Sequence, residues 1–189
     1  MELDIRRLTP AMWQEYLYFF DEVAFVDHPE WSQCYCLASH FEPSWDEEDA
    51  GRENPWRDRA MRFVQEGKLQ GYLAYVDGQA VGWCNANDRS HYAALKCGNA
   101  DEGKKIKSAV CFLVAPDMRG KGVATQMLER VCRDAQAEGY DCAEGYPIEG
   151  EWNVYAAHHG TRALFEKCGF TACIQADGKC VMRRELKVR

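Results

Sequence analysis

The chain has 189 residues, 47% of them hydrophobic and 12% aromatic, which is enough for one substantial core and a poor fit to a disordered, collagenous or coiled-coil protein. Its 23 Lys+Arg against 30 Asp+Glu give a net charge of −7, which argues against a nucleic-acid coat protein whose affinity rests on basic surface. The charge is uneven: residues 1–95 carry 8 basic and 17 acidic side chains (net −9), and residues 96–189 carry 15 and 13 (net +2). The first half therefore suits cationic partners, and the second tolerates an anionic one.

In chain order, Leu3 to Leu8 reads as a first strand. Thr9-Pro10 then opens a helix, with the Thr9 hydroxyl as N-cap and Pro10 at the first helical position; Met12, Trp13, Tyr16, Leu17 and Phe20 form its apolar stripe. Residues 27–55 read as irregular, with Pro43, Gly51, Pro55 and the acidic run Asp46-Glu47-Glu48-Asp49, a solvated loop or a steering patch for cations. A helix follows from about Trp56 to Glu66. The clearest hairpin is Tyr72–Val76 and Gln79–Cys84 around Asp77-Gly78, a pair suited to the positive φ angles of a type I′ turn. Ile106–Val114 is a strongly apolar strand. Val123, Met127, Val131 and Ala135 recur every fourth residue, which predicts an amphipathic helix over about Gly120–Glu138. Tyr140–Tyr146 predicts another strand, a further helix ends at Lys167-Cys168-Gly169, and a last hairpin turns at Asp177-Gly178.

Ten cysteines are present, but no CxxC pair; the closest spacing is Cys34-Tyr35-Cys36. The start, MELDIRRLTP, has no apolar signal-type stretch, and no apolar run approaches the roughly 18 residues that span a bilayer. The expectation is a reduced, cytoplasmic protein without a membrane or nucleic-acid partner, whose thiols serve mostly as small hydrophobes and hold no metal.

The chemistry concentrates where Ile106–Val114 delivers the chain to Arg119-Gly120-Lys121-Gly122 and a helix begins at once. A helix N-terminus presents unpaired N–H groups and a partial positive charge, the two glycines remove side chains that would keep an anion off those amides, and Arg119 and Lys121 add formal charge. This is a phosphate cradle in physical terms, and neither GxxxxGK[ST] nor GxGxxG fits it.

Arg119-Gly120-Lys121-Gly122-Val123-Ala124 resembles the R/Q-x-x-G-x-G/A motif of the GNAT superfamily of acyl-CoA N-acyltransferases. Leu164-Phe165-Glu166-Lys167-Cys168-Gly169-Phe170 is similar to that family's later Y-E-K-x-G-F segment. The resemblance implies an α/β (α+β) fold: a mixed, mostly antiparallel sheet of about seven strands, helices on both faces and splayed central strands. It implies one N-acetyltransferase domain over residues 1–189, with 106–175 as the acyl-CoA-binding core and 27–55 as an acceptor-side insertion.

It further implies acetyl-CoA as co-substrate. Its pyrophosphate would sit on the amides of Arg119, Gly120, Lys121, Gly122, Val123 and Ala124, with Thr125, and its pantetheine arm would pair with the backbone of Phe112, Leu113 and Val114. His158 stands near the place of a CoA-contacting Asn. Phe165 occupies the position near the CoA sulfur where the family often has a Tyr acid. An amine, small-molecule or peptide, would attack directly, with the Val114 N–H as oxyanion donor. The central strand carries no acid, so Glu144 is the candidate base, against an equal reading as an exposed strand glutamate. Tyr155, His158 or His159 could supply the acid, against protonation of the thiolate by solvent. Trp31, Tyr35, Trp83 and Asn85, with Cys34, Cys36 and Cys84, are candidate acceptor walls, against a reading of the aromatics as core. A homodimer through a C-terminal edge at Lys179–Glu185 is a further expectation. Two alternatives stand beside the enzyme: a silent acyl-CoA-binding sensor or scaffold, and a redox- or metal-responsive protein using Cys34, Cys36 and Cys84.

Overall fold

A computed structural model describes residues 2–92, 95, 101, 103–148, 156, 158–176 and 179–187. Its strands are β1 (Asp4–Arg7), β2 (Gly71–Val76), β3 (Gln79–Asp88), β4 (Ile106–Val114), β5 (Cys142–Gly145), β6 (Thr171–Ala176) and β7 (Lys179–Glu185). They form one sheet in the order β1-β2-β3-β4-β5-β7-β6. Only the β4–β5 pair is parallel; every other neighbour is antiparallel. That single parallel pair is joined by a crossover through helix α4 (Val123–Ala137), as parallel pairing requires.

The helical layers follow the sequence pattern. α4 buries Val123, Met127, Leu128, Val131, Cys132 and Ala135, the predicted stripe, in one core with Tyr72, Cys84 and Phe112. On the opposite face, α1 (Trp13–Tyr18), a π-helical turn at Phe19–Val23 and α3 (Pro55–Gln65) bury Tyr16, Phe20, Ala60 and Val64 against Leu73, Trp83 and Leu113. Gly82 permits close approach of α4 to the sheet: a Cβ there would lie 2.9 Å from Val123 Cγ1. The β2–β3 hairpin turns on Asp77 and Gly78 at φ 50° and 80°, both left-handed as a type I′ turn needs. The last turn, at Asp177-Gly178, lies outside the described residues.

Some expectations are corrected. The Thr9 side chain makes no capping bond, and the chain enters a 3-10 turn at Pro10–Met12 before α1. Residues 45–48 form a short helix, α2 (Trp45–Glu48). Its end holds buried Arg59: Nη2 donates to Asp49 at 2.7 Å and Glu48 at 3.1 Å, while the guanidinium lies 4.1 Å from the Trp45 ring centroid. Part of the acidic run is thus tied to the core side of α3. β7 lies between β5 and β6 rather than at the rim of the sheet, so the outer strand of the C-terminal hairpin is β6.

Candidate active site

β4 and β5 pair only from Ile106↔Cys142 to Ala109↔Gly145, yet β4 runs on to Val114. Beyond Ala109 the strands part. Phe165, on helix α5 (Arg162–Lys167), fills the opening on the α4 face. Its ring is fully buried, 6.0 Å from Phe112 of β4 and 5.3 Å from Phe170. Gly145 of β5 has no Cβ to exclude it: a methyl there would fall 2.0 Å from Phe165 Cε1. The aromatic ring is a wedge between the two strands.

The ladder alternation fixes which backbone groups face the gap. Ala115 N–H donates to Val81 O at 2.9 Å, and the register continues through Val114↔Gly82 and Leu113↔Trp83. In an antiparallel ladder, residues that bond to the neighbour alternate with residues that turn outward. Ala115 and Leu113 therefore bond to β3, whereas Phe112 and Val114 turn their N–H and C=O groups toward the parted side.

A cleft of about 570 Å³ opens there. The candidate cofactor residues Phe112, Leu113, Val114, Arg119, Gly120, Gly122, Val123, Ala124, Thr125 and His158 all line it, together with Trp31. Gly120 and Gly122 are at φ 74° and 82°, a region L side chains rarely adopt, so the turn into α4 depends on both. Arg119 spans the mouth: its Nε donates to Val114 O at 3.2 Å and its Nη2 to Asp27 at 3.2 Å. The guanidinium hydrogen bond holds the Asp27 carboxyl below its usual range. Trp31 stacks on His28 at 3.8 Å and meets His158 edge-on at 6.1 Å. Burial pushes His158 down to about 4, aided by His159, Arg119 and His28, so its ring is neutral at pH 7. The charged side chains of the lining, Arg119 and Lys167, are both cationic. Met118, Gly160, Thr161, Leu164, Lys167 and His28 also line the cleft and were missed in the sequence; the EKCGF match pointed at Lys167 without giving it a role.

Other predicted residues lie elsewhere. Lys121 is outside the lining, its Nζ 3.8 Å from Met118 Sδ. Leu113 reaches the cleft, but its backbone is used by β3. Phe165 sits behind the cleft rather than in its lining.

Glu144, the candidate base, lies outside the cleft lining. It is 1% exposed and opposite Ser108, in the paired part of the ladder. Arg183 Nε donates to Oε1 at 3.0 Å, Arg89 Nη1 reaches Oε2 at 3.4 Å, and Tyr146 OH donates to Oε2 at 2.8 Å. Asp101 completes the set, accepting from Arg183 at 2.7 Å and Arg89 at 2.9 Å. Two carboxylates and two guanidiniums neutralise each other in a partly buried network that engages both Glu144 oxygens.

Three candidate acceptor walls lie in the core, outside the cleft lining. Trp83 is fully buried against Tyr16 and Phe20. Asn85 is fully buried and bonded to Cys36 and Tyr92. Tyr35 is buried, its hydroxyl on Asp21 at 2.7 Å. Tyr155 lies outside the described residues. Among the described residues, no cluster of three or more His, Cys, Asp or Glu could hold a metal ion, and no helix is long and apolar enough to cross a membrane.

The chain belongs to the acetyltransferase (GNAT) family, whose model matches residues 31–170. No curated protein matches the sequence. Solved structures share the fold. The PaiA N-acetyltransferase of Thermoplasma acidophilum, in complex with coenzyme A, is 13% identical with a TM-score of 0.56, over 98% of this chain and 99% of that one. The GNAT domain of S. lividans PAT is 16% identical with a TM-score of 0.58, over 96% and 89%. The polyamine N-acetyltransferase of Drosophila melanogaster is 13% identical with a TM-score of 0.56, over 97% and 100%. Membership makes the fold that of an acyltransferase family.

Proposed function

We propose that this protein transfers an acetyl group from acetyl-CoA to a primary amine, small-molecule or peptide, by direct attack in a ternary complex. The observation that carries the reading is the parted β4–β5 pair, whose outward-turned backbone groups at Phe112 and Val114 lead straight into the cationic, glycine-lined start of α4. The pantetheine amides would bond to those groups as an added strand, and the pyrophosphate would take the amides from Arg119 to Thr125. The Val114 N–H would stabilise the oxyanion of the tetrahedral intermediate.

Proton handling follows from what the cleft contains. His158 is a weak base when held neutral to about 4, and its neutral ring suits hydrogen bonding to the cofactor rather than proton transfer. Phe165 has no proton to give. Solvent is assigned both the proton that the attacking amine gives up and the protonation of the leaving thiolate, with Tyr155 or His159 as the side-chain alternative for the acid. His28, Trp31 and His158 form an aromatic wall on the acceptor side, which suits an amine with an apolar body.

A second reading, a silent acyl-CoA sensor, is favoured by the loss of Glu144 to its ion network and by the burial of Phe165. Free-thiol release from acetyl-CoA across a panel of amines decides between them. The enzyme consumes acetyl-CoA with at least one amine class; the sensor binds CoA in calorimetry and releases no thiol.

A further inference from the structure

We infer that Cys36 and Cys111 form a hydroperoxide-sensitive thiol pair, which oxidation joins into a disulfide between the segment that carries Trp31 and the central strand. The inference is independent of the transfer reaction.

The geometry around the Cys36 sulfur is built. Asn85 Nδ2 donates to Cys36 Sγ at 3.4 Å and to Cys36 O at 3.0 Å. The Asn85 amide cannot turn round, because its Oδ1 accepts from Tyr92 OH at 2.7 Å. Cys111 stands directly opposite Asn85 in the β3–β4 ladder, on the face where Asn85 meets Cys36, and packs against the cluster that holds Cys36 and Trp83. The backbone that delivers the sulfur is constrained: Tyr35 and Cys36 are consecutive left-handed residues at φ 39° and 53°. Such positions are strained for L side chains and persist where the surroundings over-determine them. Here Tyr16 OH donates to Tyr35 O at 2.6 Å, and Tyr35 OH is anchored on Asp21.

This environment separates the pair from the other thiols. Burial pushes Cys84 well above its ordinary value, Cys132 up to about 12 and Cys168 up to about 11, as for inert core cysteines. Burial acts on Cys36 in the same direction, but the neighbouring Cys111 thiol and the Asn85 amide outweigh it and bring Cys36 below its ordinary value. The proton of the pair is carried by Cys111, which lies well above its own. Cys36 itself is buried at 4% exposure, while Cys111 is partly buried and Cys34, two residues away, is exposed, so the oxidant would reach the pair from that side.

The step balances with hydrogen peroxide as oxidant. The Cys36 thiolate attacks one peroxide oxygen; an S–O bond forms, the O–O bond breaks and hydroxide leaves. Cys111 sulfur then attacks the sulfenic sulfur; the S–S bond forms, the S–O bond breaks, and the departing oxygen leaves as water with the Cys111 proton. Two thiol sulfurs lose two electrons in total, and one peroxide becomes water and hydroxide. Cys111 directly precedes Phe112, so the bond would fasten the Trp31 segment beside the parted strands.

The test is peptide mapping of the full chain after brief exposure to hydrogen peroxide, without reductant. The expected product joins the tryptic peptide Leu8–Arg52 to Ser108–Arg119, lacks two hydrogens and separates on treatment with dithiothreitol. It persists in Cys34→Ser, a change at an exposed side chain, and forms more slowly in Asn85→Leu. A Cys34-to-Cys36 link overturns the proposal. So does loss of the cross-link in Cys34→Ser, or oxidation confined to exposed Cys34 and Cys173 while Cys36 and Cys111 still alkylate after unfolding.

Discussion

The ring of Phe165 rests on Gly145: a Cβ there would stand 2.0 Å from Cε1 and 2.2 Å from Cζ. Gly160, at φ 77°, closes the other side, with its own Cβ position 3.1 Å from Phe165 Cε2. Removing the ring by Phe165→Ala is expected to cost about 3–5 kcal/mol in denaturant unfolding, as for other buried aromatics. Gly145→Ala is expected to destabilise as well, because ring or strand must move, and to weaken acetyl-CoA binding. A Phe165→Ala cost below about 1 kcal/mol would remove the wedge.

Gly122→Glu tests the phosphate cradle. Nothing lies within 4 Å of a Cβ at this position, so the side chain fits in space, while the backbone at φ 82° is strained and a carboxylate enters the anion site. Acetyl-CoA affinity is expected to fall at least about tenfold by calorimetry, the effect of ~1.4 kcal/mol. Unchanged affinity places the pyrophosphate elsewhere.

Glu144→Gln separates structure from chemistry. Removing the charge leaves Arg89 and Arg183 sharing Asp101 alone, and breaking such a buried set typically costs about 3–5 kcal/mol. The expected outcome is a large loss of stability. The pH–rate profile of the surviving folded enzyme should keep its shape; loss of a titrating limb would restore Glu144 as the base.

Much of this was readable in the chain. The Asp77-Gly78 hairpin and α4 announce themselves through contacts a few residues apart: two positive φ angles, and a stripe at every fourth position. The role of Glu144 did not, because its partners Arg89 and Arg183 are 55 and 39 residues away. Trp83 and Asn85 looked like site residues for the same reason. Their burial depends on Tyr16, Phe20 and Cys36 arriving from the first forty residues, and no local pattern states that.

His40 predicts a pH dependence. Burial, with His91 nearby, lowers it to about 4, and its Nε2 has no partner. A depressed histidine contributes stability that is complete above its unfolded value near ~6.5 and is lost as pH falls toward the folded value. The expectation is a decline of about 3 kcal/mol from this group between pH 6.5 and 4. His40→Phe should flatten that slope in urea titrations and leave stability at pH 7 nearly unchanged.

Asp27→Asn probes the mouth of the cleft. A surface pair such as Asp27–Arg119 is worth about 0.2–1 kcal/mol. Freeing Arg119 is therefore expected to raise CoA affinity by no more than about fivefold, with the gain shrinking in high salt. A loss of affinity would show that Asp27 helps place the guanidinium.

The outward-turned groups of Phe112 and Val114 leave the sheet one half-ladder short. A ligand whose own amides complete that ladder becomes part of the fold and adds cohesion where the strands part. Melting should therefore rise with the logarithm of CoA concentration. Thiols that carry the acyl group but lack the pantetheine amides should raise it far less. In that sense coenzyme A would be an eighth, removable strand.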